Sequence, residues 1–434
     1  MKYQTYTLHN FRQIPQVSLL SQEEIRDIEV VGRVLPFKTN NYVVDQLIDW
    51  DHFQKDPMYI LTFPQRGMLS EKDYHAVDRL LDDPDQQEEL KRVVHQIRMS
   101  LNPHPAGQRE HNMPELDGEK LPGLQHKYHE TAVFFPSQGQ TCHAYCTFCF
   151  RWPQFTGINE YKFAMKEGEK LVRYIQEHPE ISDLLITGGD PMTMKSSIFA
   201  RYIDALIEAK IPHLKTIRIG SKSLAFWPYR FTTDADAAEM LAVFQRIVDA
   251  GINLAYMAHF NHYAELETEE VRKAVSAIRK TGAIIRTQSP ILKHINDRSE
   301  VWSRMWKLQT QMGMIPYYMF IARDTGARNF FAVPLVKAHR LFRAAFSKVS
   351  GIGRTVRGPS MSANPGKVNV LGTTYIKGER YLALRFIQGR NPDWVGRPFF
   401  AKYNEEALWL DDLEPAFGEE EFFYEEELNQ ILQQ

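Results

Sequence analysis

From Thr131 onwards, short apolar segments alternate with longer segments in which apolar residues recur at helical spacing. The spacing predicts strands at 131–135, 184–187, 216–219, 254–260, 284–288 and 317–321. It predicts helices at 163–177, 197–209, 234–250, 268–281 and 299–312. Strands that alternate with helices usually pair side by side through right-handed crossovers, so this region predicts an α/β fold with a parallel sheet.

The N-terminal region, residues 1–125, carries helix signals but no catalytic motif. Ser21 followed by Glu24 is a capping-box pattern, which marks the start of a helix. Residues 102–121 are rich in proline, glycine and charge, which is typical of a linker. We therefore expect a helical cap that helps to exclude water from a core spanning residues 126–330.

The C-terminal region, residues 331–434, ends in an acidic segment with interleaved aromatic residues. This segment, residues 417–434, is FGEEEFFYEEELNQILQQ. Its charge predicts a solvated helix, and its aromatic residues leave open that it docks on a neighbouring chain.

Composition excludes several classes of partner. The chain has 434 residues, of which 43% are apolar and 24% charged, which is ordinary for a globular protein. A net charge of −2 gives no electrostatic case for binding nucleic acid or an anionic membrane. No apolar run approaches the roughly 18 residues that span a bilayer, and the first residues lack the apolar core of a signal peptide. We expect a cytoplasmic protein.

All three cysteines of the chain, Cys142, Cys146 and Cys149, lie within eight residues of one another. Three thiolates at this C-x3-C-x2-C spacing can hold an iron–sulfur cube and leave one iron open to a small molecule. The alternative is a zinc site completed by His143 or by a distant histidine, in a non-catalytic scaffold. The odd number of cysteines disfavours disulfides.

The cysteine spacing, followed by an aromatic residue, is the signature of radical S-adenosylmethionine enzymes. Further segments resemble the lysine 2,3-aminomutase family in one consistent order, namely 121–135 (LPGLQHKYHETAVFF), Arg151, 184–191 (LLITGGDP), 217–222 (IRIGSK), 259–262 (HFNH), 287–297 (TQSPILKHIND) and 316–320 (PYYMF). The resemblance implies a curved partial (βα)6 barrel and a C-terminal extension that binds pyridoxal phosphate. It also implies a 4Fe–4S cluster on the three cysteines and S-adenosylmethionine as cofactor.

The segment TGGD, residues Thr187, Gly188, Gly189 and Asp190, follows a predicted strand. A glycine pair at this place is commonly only a tight turn. In radical S-adenosylmethionine enzymes, however, the similar segment holds the methionine amine of the cofactor.

His259 and Gln288 also follow or end predicted strands. From the residues alone, His259 is most simply a satisfied core histidine. The resemblance places both side chains near S-adenosylmethionine.

Lys367 lies in a predicted loop of small residues, 360–370. Its Pro-Gly-Lys context resembles that of the lysine that carries pyridoxal phosphate in the aminomutases, although the family's loop has more glycines. A lysine in this role needs surroundings that hold its amine near neutrality.

The cofactor phosphate has its own candidate residues. Lys127 and Tyr128 match the family's Arg-Tyr pair at the phosphate, but Thr131 stands where the family has a second arginine. Arg354 and Arg357 are the candidates to supply the missing positive charge.

Three residues bear on the substrate. Arg151 resembles the arginine that clamps the substrate carboxylate, a task suited to a planar bidentate donor. Alternatively, it only stabilises the anionic cluster. Lysine-specific members hold the distal ammonium with two aspartates, which here are replaced by Arg323 and by Ser362 or Asn364.

A buried arginine would repel a substrate ammonium and pair with a carboxylate. The resemblance therefore implies a 2,3-aminomutase, an isomerase that moves an amino group from Cα to Cβ, with glutamate favoured as its substrate. A shift of one residue would put Asp324 inward and restore lysine, either as free lysine or as β-lysine supplied for elongation factor P. The reaction also requires an electron donor such as flavodoxin or ferredoxin. The family's C-terminal zinc-binding cysteines are absent, which leaves a homo-oligomer open.

Overall fold

The computed structural model describes residues 1–102, 112–157 and 163–433. The strands are β1 (Thr5–Thr7), β2 (Lys38–Asn40), β3 (Glu115–Leu116), β4 (Glu119–Lys120), β5 (Leu124–Tyr128), β6 (Thr131–Phe134), β7 (Asp183–Ile186), β8 (Thr216–Ser221), β9 (Asn253–His259), β10 (Ile284–Ile291), β11 (Ile315–Ile321), β12 (Arg357–Ser362), β13 (Gly366–Ile376), β14 (Glu379–Gly389) and β15 (Pro398–Lys402). The helices are α1 (Gln22–Val34), α2 (Pro57–Thr62), α3 (Glu71–Leu81), α4 (Gln87–Ser100), α5 (Gly168–Glu177), α6 (Ser196–Glu208), α7 (Ser223–Phe226), α8 (Ala237–Asp249), α9 (Glu269–Lys280), α10 (Ser299–Gln311), α11 (Arg328–Phe331), α12 (Leu335–Phe346) and α13 (Glu425–Gln433).

Strands β5 to β15 form one mixed sheet of 11 strands, in which the order in space follows the order in the chain. Strands β6 to β11 are parallel neighbours, as the alternating pattern predicts. Strand β12 adds a parallel strand beside β11, and β13, β14 and β15 continue as an antiparallel meander. At the other edge, β5 is antiparallel to β6.

Helix α9 shows why these segments fold as they do. Val271, Ala274, Val275 and Ile278 recur at helical spacing and are buried, so they form the face that packs on the rest of the protein. The Thr268 hydroxyl accepts a hydrogen bond from the backbone N–H of Val271 and caps the N-terminus. The helix therefore begins and ends within one residue of the predicted bounds, 268–281.

Helix α5 begins later than its pattern predicts, at Gly168 instead of residue 163. The reason is that the preceding residues pair with the segment after β6. The backbone N–H of Met165 donates to the Phe135 carbonyl at 2.9 Å, and the N–H of Ser137 donates to the Met165 carbonyl at 3.0 Å.

The N-terminal region contains α1 to α4, and the capping box of Ser21 and Glu24 at the start of α1 is confirmed. Part of the predicted linker, residues 103–111, lies outside the described residues. The remainder includes the hairpin β3–β4. Within the described residues, no helix has both the length and the apolar character needed to cross a membrane.

Two predictions for the C-terminal region are corrected. Residues 360–370 are a β-hairpin, with Lys367 on β13, because β12 and β13 pair through Ser362 and Lys367. The tail is the predicted solvated helix over α13, which has no buried residue, but two aromatic residues before α13 are buried. Phe422 and Tyr424 precede α13 and pack on Phe399 of the chain's own sheet, with ring centroids 5.4 and 5.7 Å apart, because these aromatic side chains gain more from burial than from exposure.

Candidate active site

The cysteine loop, residues 142–149, is held by segments of the N-terminal region. The N–H of Tyr145 donates to the Lys38 carbonyl at 2.8 Å, and the N–H of Thr147 donates to the Leu61 carbonyl at 2.9 Å. The Tyr3 hydroxyl donates to the His143 carbonyl at 2.8 Å. The N-terminal region therefore fixes the backbone of the loop, a role that goes beyond the predicted cap.

The three thiols are free and half-buried. Burial raises the pKa of Cys142 well above its usual range, and the neighbouring Asp190 carboxylate and the other two thiols raise it further. Among the described residues, however, the three sulfur atoms do not all lie within 4.8 Å of one another. Tetrahedral zinc with bonds of about 2.3 Å would need sulfur atoms about 3.8 Å apart.

His143, the sequence candidate for a fourth zinc ligand, has another partner. Its Nδ1 lies 2.9 Å from the Ser223 hydroxyl, and its ring stacks on Trp227. Burial lowers the pKa of His143 to about 3, so the ring is neutral. This histidine is a satisfied core residue.

The glycine pair after β7 is explained by close approach to the backbone before Cys142. A Cβ atom on Gly189 would lie 2.5 Å from the Thr141 carbonyl oxygen, and a Cβ atom on Gly188 would lie 2.9 Å from the Gly139 carbonyl oxygen. Thr187 extends the contact with β6, because its N–H donates to the Phe134 carbonyl at 2.9 Å. Only glycine fits between these segments.

Asp190 joins the loops after β7 and β8. Its Oδ1 accepts from the N–H of Met192 at 3.0 Å, and its Oδ2 accepts from the N–H of Lys222 at 2.8 Å and from the hydroxyls of Ser221 and Ser223 at 3.0 Å. Its carboxylate is therefore fully used within the protein. A contribution of Asp190 to cofactor binding stays a prediction.

His259 and Gln288 are paired in register on β9 and β10, so the structure brings these two predicted residues together. The Nε2 atom of His259 is buried without a hydrogen-bond partner among the described residues. Burial lowers the pKa of His259 well below its usual range, and the nearby Lys222 ammonium lowers it further. A neutral imidazole with a free polar atom fits a ligand contact better than a satisfied core position.

Lys222 lies next to His259 and belongs to a complete polar network. Its ammonium contacts the Glu265 carboxylate at 2.5 Å and the Asn261 side chain at 2.8 Å. Glu265 is fully buried and also accepts from the N–H of His262 at 2.9 Å.

Lys367 lies among aromatic rings. Its Nζ donates to the Gln388 side-chain oxygen at 2.7 Å and lies 5.5 Å from the centre of the Tyr128 ring. Burial lowers the pKa of Lys367 to about 7, and the cations Arg218 and Arg357 lower it further. This is the near-neutral amine that the sequence argument requires.

Lys127 joins β5 to the turn between β12 and β13. Its Nζ donates to the Ala363 carbonyl at 2.6 Å and lies 5.3 Å from the centre of the Tyr128 ring. Burial lowers the pKa of Lys127 well below its usual range, and Arg390, Arg323 and Lys367 lower it further. Two distant parts of the sheet thus meet at Tyr128.

The two arginines proposed for the missing positive charge lie in different places. Arg357 is near enough to Lys367 to lower its pKa. Arg354 instead donates to the Val349 carbonyl at 2.9 Å and to the Ser347 carbonyl at 3.3 Å, after α12. Thr131 donates to an Asp183 carboxylate oxygen at 3.2 Å and brings no charge.

Arg151 and Arg323 lie on the same ring, each with its guanidinium carbon 5.3 Å from the centre of Phe150. Arg151 also lies 4.3 Å from the centre of Phe135. Arg323 Nη2 donates to the Ser362 carbonyl at 2.6 Å, while its Nε is buried without a partner among the described residues. Burial lowers the pKa of Arg151 to about 10 and also lowers that of Arg323.

No family model matches the chain, but individual proteins do. A protein of Aquifex aeolicus (strain VF5), named "Putative L-lysine 2,3-aminomutase", is 33% identical over 393 residues, which is 91% of each chain. The chain belongs to the lysine 2,3-aminomutase family.

Other members of the family match in part. The L-lysine 2,3-aminomutase of Escherichia coli (strain K12) is 28% identical over 53% of this chain and 63% of its own length. That of Acetoanaerobium sticklandii is 26% identical over 59% of this chain and 58% of its own length. A crystal structure of Streptococcus suis SuiB bound to S-adenosylmethionine covers 51% of this chain and 44% of its own, with a TM-score of 0.35 and 13% identity, which is too low to carry an argument.

Lysine 2,3-aminomutases are isomerases, and the family uses a 4Fe–4S cluster, S-adenosylmethionine and pyridoxal phosphate. The sequence-based predictions of the family, the enzyme class and the cofactors are thereby confirmed. The roles of the individual site residues stay predictions.

The residues of this aminomutase fit the three groups. The three free thiols supply the soft ligands that an iron–sulfur cluster takes. The free Nε2 of His259 and the buried, unpartnered Oε1 of Gln140 offer polar contacts beside them. Lys127, Arg151, Arg323 and Lys367 form no ion pair with any described residue, so the region suits anions such as a phosphate and a carboxylate.

Sequence reasoning missed four contacts of this aminomutase. Gln388, the partner of Lys367, and Arg390, near Lys127, lie on or beyond β14 and carried no signal. Arg218 lies within the matched IRIGSK segment and pairs with Asp183 at 2.5 Å. Lys38, which donates to the Thr141 hydroxyl at 3.2 Å, lies in a segment without any recognised motif.

Proposed function

We propose that this aminomutase acts on an acidic amino acid, glutamate first, and moves its amino group from Cα to Cβ. The observation that carries the proposal is the position of Arg323. Its guanidinium lies at Ser362 and Phe150, half-buried and without an ion pair among the described residues, where a lysine-specific member would present an aspartate. A side-chain carboxylate of the substrate would form an ion pair with this guanidinium, whereas a side-chain ammonium would be repelled by it.

Lysine is the second candidate, because the relatives that match the chain are named L-lysine 2,3-aminomutases. Asp324 follows Arg323 directly and would be the acceptor for a distal ammonium. Supply of β-lysine for elongation factor P would be one use of this activity. A non-catalytic zinc scaffold on the cysteines is disfavoured because His143, its candidate fourth ligand, is bonded to Ser223.

Each cofactor has residues that would hold it. Cys142, Cys146 and Cys149 would hold the cluster. Residues 187–190 with His259 and Gln288 would line the place of S-adenosylmethionine. When bound, the cluster and S-adenosylmethionine supply radical abstraction of hydrogen from carbon, and pyridoxal phosphate supports migration of the amino group.

The protein's own residues bind, orient and exclude water. Lys367 would carry pyridoxal phosphate, and its lowered pKa keeps a share of its amine neutral near pH 7. Lys127 and Tyr128, with Arg357, would hold the phosphate in place of the family's second arginine. Arg151 would clamp the α-carboxylate, fixed in direction by the Phe135 and Phe150 rings.

A contact between distant strands of the large sheet supports a partial-barrel arrangement. The bond from Lys127 on β5 to Ala363, after β12, requires the sheet to curve so that distant strands approach. We propose that β6 to β11 are the curved partial barrel and that residues 331–434 form its cofactor-binding extension. We also propose a cytoplasmic enzyme reduced by a flavodoxin or ferredoxin, with a homo-oligomer left open.

The proposal is tested by anaerobic turnover of the reconstituted enzyme. Isotope-labelled glutamate and lysine are supplied in separate reactions with S-adenosylmethionine, pyridoxal phosphate and dithionite, and β-isomers are measured by mass spectrometry. We expect β-glutamate. Formation of β-lysine alone would overturn the assignment of Arg323, and deoxyadenosine without either β-isomer would place the substrate in another class.

A further inference from the structure

Three side chains with metal-ligating atoms meet on the side of β5 away from Lys127. They are His126 on β5, and His178 and Glu180 in the turn between α5 and β7. One ligand atom from each lies within 4.8 Å of the others. His126 turns towards Tyr174 on α5, while Lys127 turns towards Ala363 and the candidate active site.

His126 is oriented by two contacts. Its Nε2 lies 3.1 Å from the His129 carbonyl, and its Nδ1 lies 2.8 Å from the Tyr174 hydroxyl on α5. Because a carbonyl only accepts, Nε2 carries the proton and Nδ1 carries the lone pair. A ring N–H donated to a backbone carbonyl is the arrangement that commonly orients a metal-binding histidine.

His178 and Glu180 are placed by a tight turn. The N–H of Ile181 donates to the His178 carbonyl at 3.0 Å, and Pro179 occupies the second position of the turn, where its fixed φ is favourable. The Nδ1 of His178 lies 2.8 Å from a Glu180 carboxylate oxygen. Their side chains are 34% and 23% exposed, so an ion could reach them from solvent.

We propose that His126, His178 and Glu180 bind one zinc ion that ties β5 to the turn between α5 and β7. Two imidazoles and one carboxylate are ligands that zinc accepts, with a fourth position open to water. Ligand atoms around tetrahedral zinc are about 3.4 Å apart, so only a modest inward movement from the present spacing is needed. The ion would brace the strand whose opposite face carries Lys127.

This inference is independent of the proposed substrate and of the cysteine site. Its rival is a metal-free hydrogen-bonded cluster, in which the Tyr174 hydroxyl keeps the Nδ1 of His126. The two arrangements differ in whether zinc binds here at all.

The test measures zinc and iron together by elemental analysis of the reconstituted full-length enzyme, after equilibration with zinc chloride and removal of loosely bound metal. We expect one zinc per chain besides about four iron atoms. The variant Cys142→Ser/Cys146→Ser/Cys149→Ser should lose the iron and keep the zinc. Loss of the zinc in that variant would overturn the proposal, since the ion would then have occupied the cysteines.

Two further variants locate the ion. His178→Gln should weaken zinc binding at least about tenfold, and the isosteric Glu180→Gln should act in the same direction if His178→Gln fails to fold. His129→Gln is the matched control, because His129 is 61% exposed and contributes its backbone carbonyl to the cluster. Unchanged zinc content in both His178→Gln and Glu180→Gln would overturn the assignment.

Discussion

Two half-buried lysines of this enzyme differ in whether a carboxylate of the protein pairs with them. The ammonium of Lys222, beside the cysteine loop, contacts the Glu265 carboxylate and the Asn261 side chain. The amine of Lys367, beside the Tyr128 ring, has a neutral partner, the Gln388 side chain. Its pKa is lowered to about 7. The first cation is paired with a carboxylate of the protein, whereas the second has only a neutral partner, which agrees with its proposed role in binding a cofactor.

The difference extends to the surroundings of each lysine. Around Lys222, the Asp190 carboxylate is also fully hydrogen-bonded, so this network is complete in the protein alone. Around Lys367, the cations Lys127 and Arg323 donate to backbone carbonyls. Half-buried positive charge that forms no ion pair costs stability, so its concentration at one place supports the proposed site for anions.

The largest effect is expected from Lys367→Ala, which removes the amine proposed to carry pyridoxal phosphate. The retained pyridoxal phosphate, measured by absorbance after gel filtration, should fall from about one per chain to nearly none, while the iron content stays unchanged. Lys348→Ala is the control, because Lys348 is an exposed lysine paired with Glu300. Full cofactor retention in Lys367→Ala would remove Lys367 from the site.

Glu265→Gln removes the carboxylate that pairs with Lys222, so that Lys222, like Lys367, would have only neutral partners. Because it leaves the Lys222 ammonium without its carboxylate, we expect a loss of about 3–5 kcal/mol in the free energy of unfolding, measured by chemical denaturation. The control is Glu267→Gln, which removes an exposed ion pair with Arg304 and should cost less than about 1 kcal/mol. Equal effects of the two substitutions would show that burial does not distinguish these pairs.

Arg323→Asp inverts the charge offered to the substrate. We expect kcat/KM for glutamate to fall about 100-fold or more and turnover of lysine to rise. An aspartate at this position would repel the side-chain carboxylate of glutamate and attract the side-chain ammonium of lysine. Arg323→Gln removes the charge without inverting it, so it should lose glutamate turnover and gain none with lysine. Unchanged glutamate turnover in Arg323→Asp would refute the proposed pocket.

The smallest effect concerns pH. Only the neutral amine of Lys367 can bond to pyridoxal phosphate, so the rate at which apoenzyme takes up the cofactor should rise about tenfold per pH unit below pH 7 and level off above it. A lysine at its usual pKa of about 10.4 would give a rate still rising at pH 9. Stopped-flow absorbance from pH 6 to 9 distinguishes the two.

The core could be predicted because each of its strands and helices has its own apolar pattern. Strands β6 to β11 follow the predicted segments closely, and so does α9. Cys142 and Lys367 could be proposed as site residues because motifs mark them. These features depend on residues near one another in the chain.

The missed contacts depend on the pairing of strands. Gln388 meets Lys367 only because β13 and β14 pair with a register shift directly after Lys367, which no local pattern indicates. The Phe422 side chain packs on β15 for a similar reason, since its partner surface exists only after the meander has formed. His178 and Glu180 meet His126 across the β5–β6 edge, which again requires the assembled sheet.

The order of the large sheet bears on how the enzyme is made. From β5 to β15 each strand pairs with the one that leaves the ribosome just before it, so a growing chain can extend the sheet strand by strand. The backbone partners of Tyr145 and Thr147 in the cysteine loop, Lys38 and Leu61, are likewise already synthesised. The bond from Lys127 to Ala363 is different, since 236 residues separate them. During translation, the pocket around Lys367 is therefore the last part of the candidate active site to close.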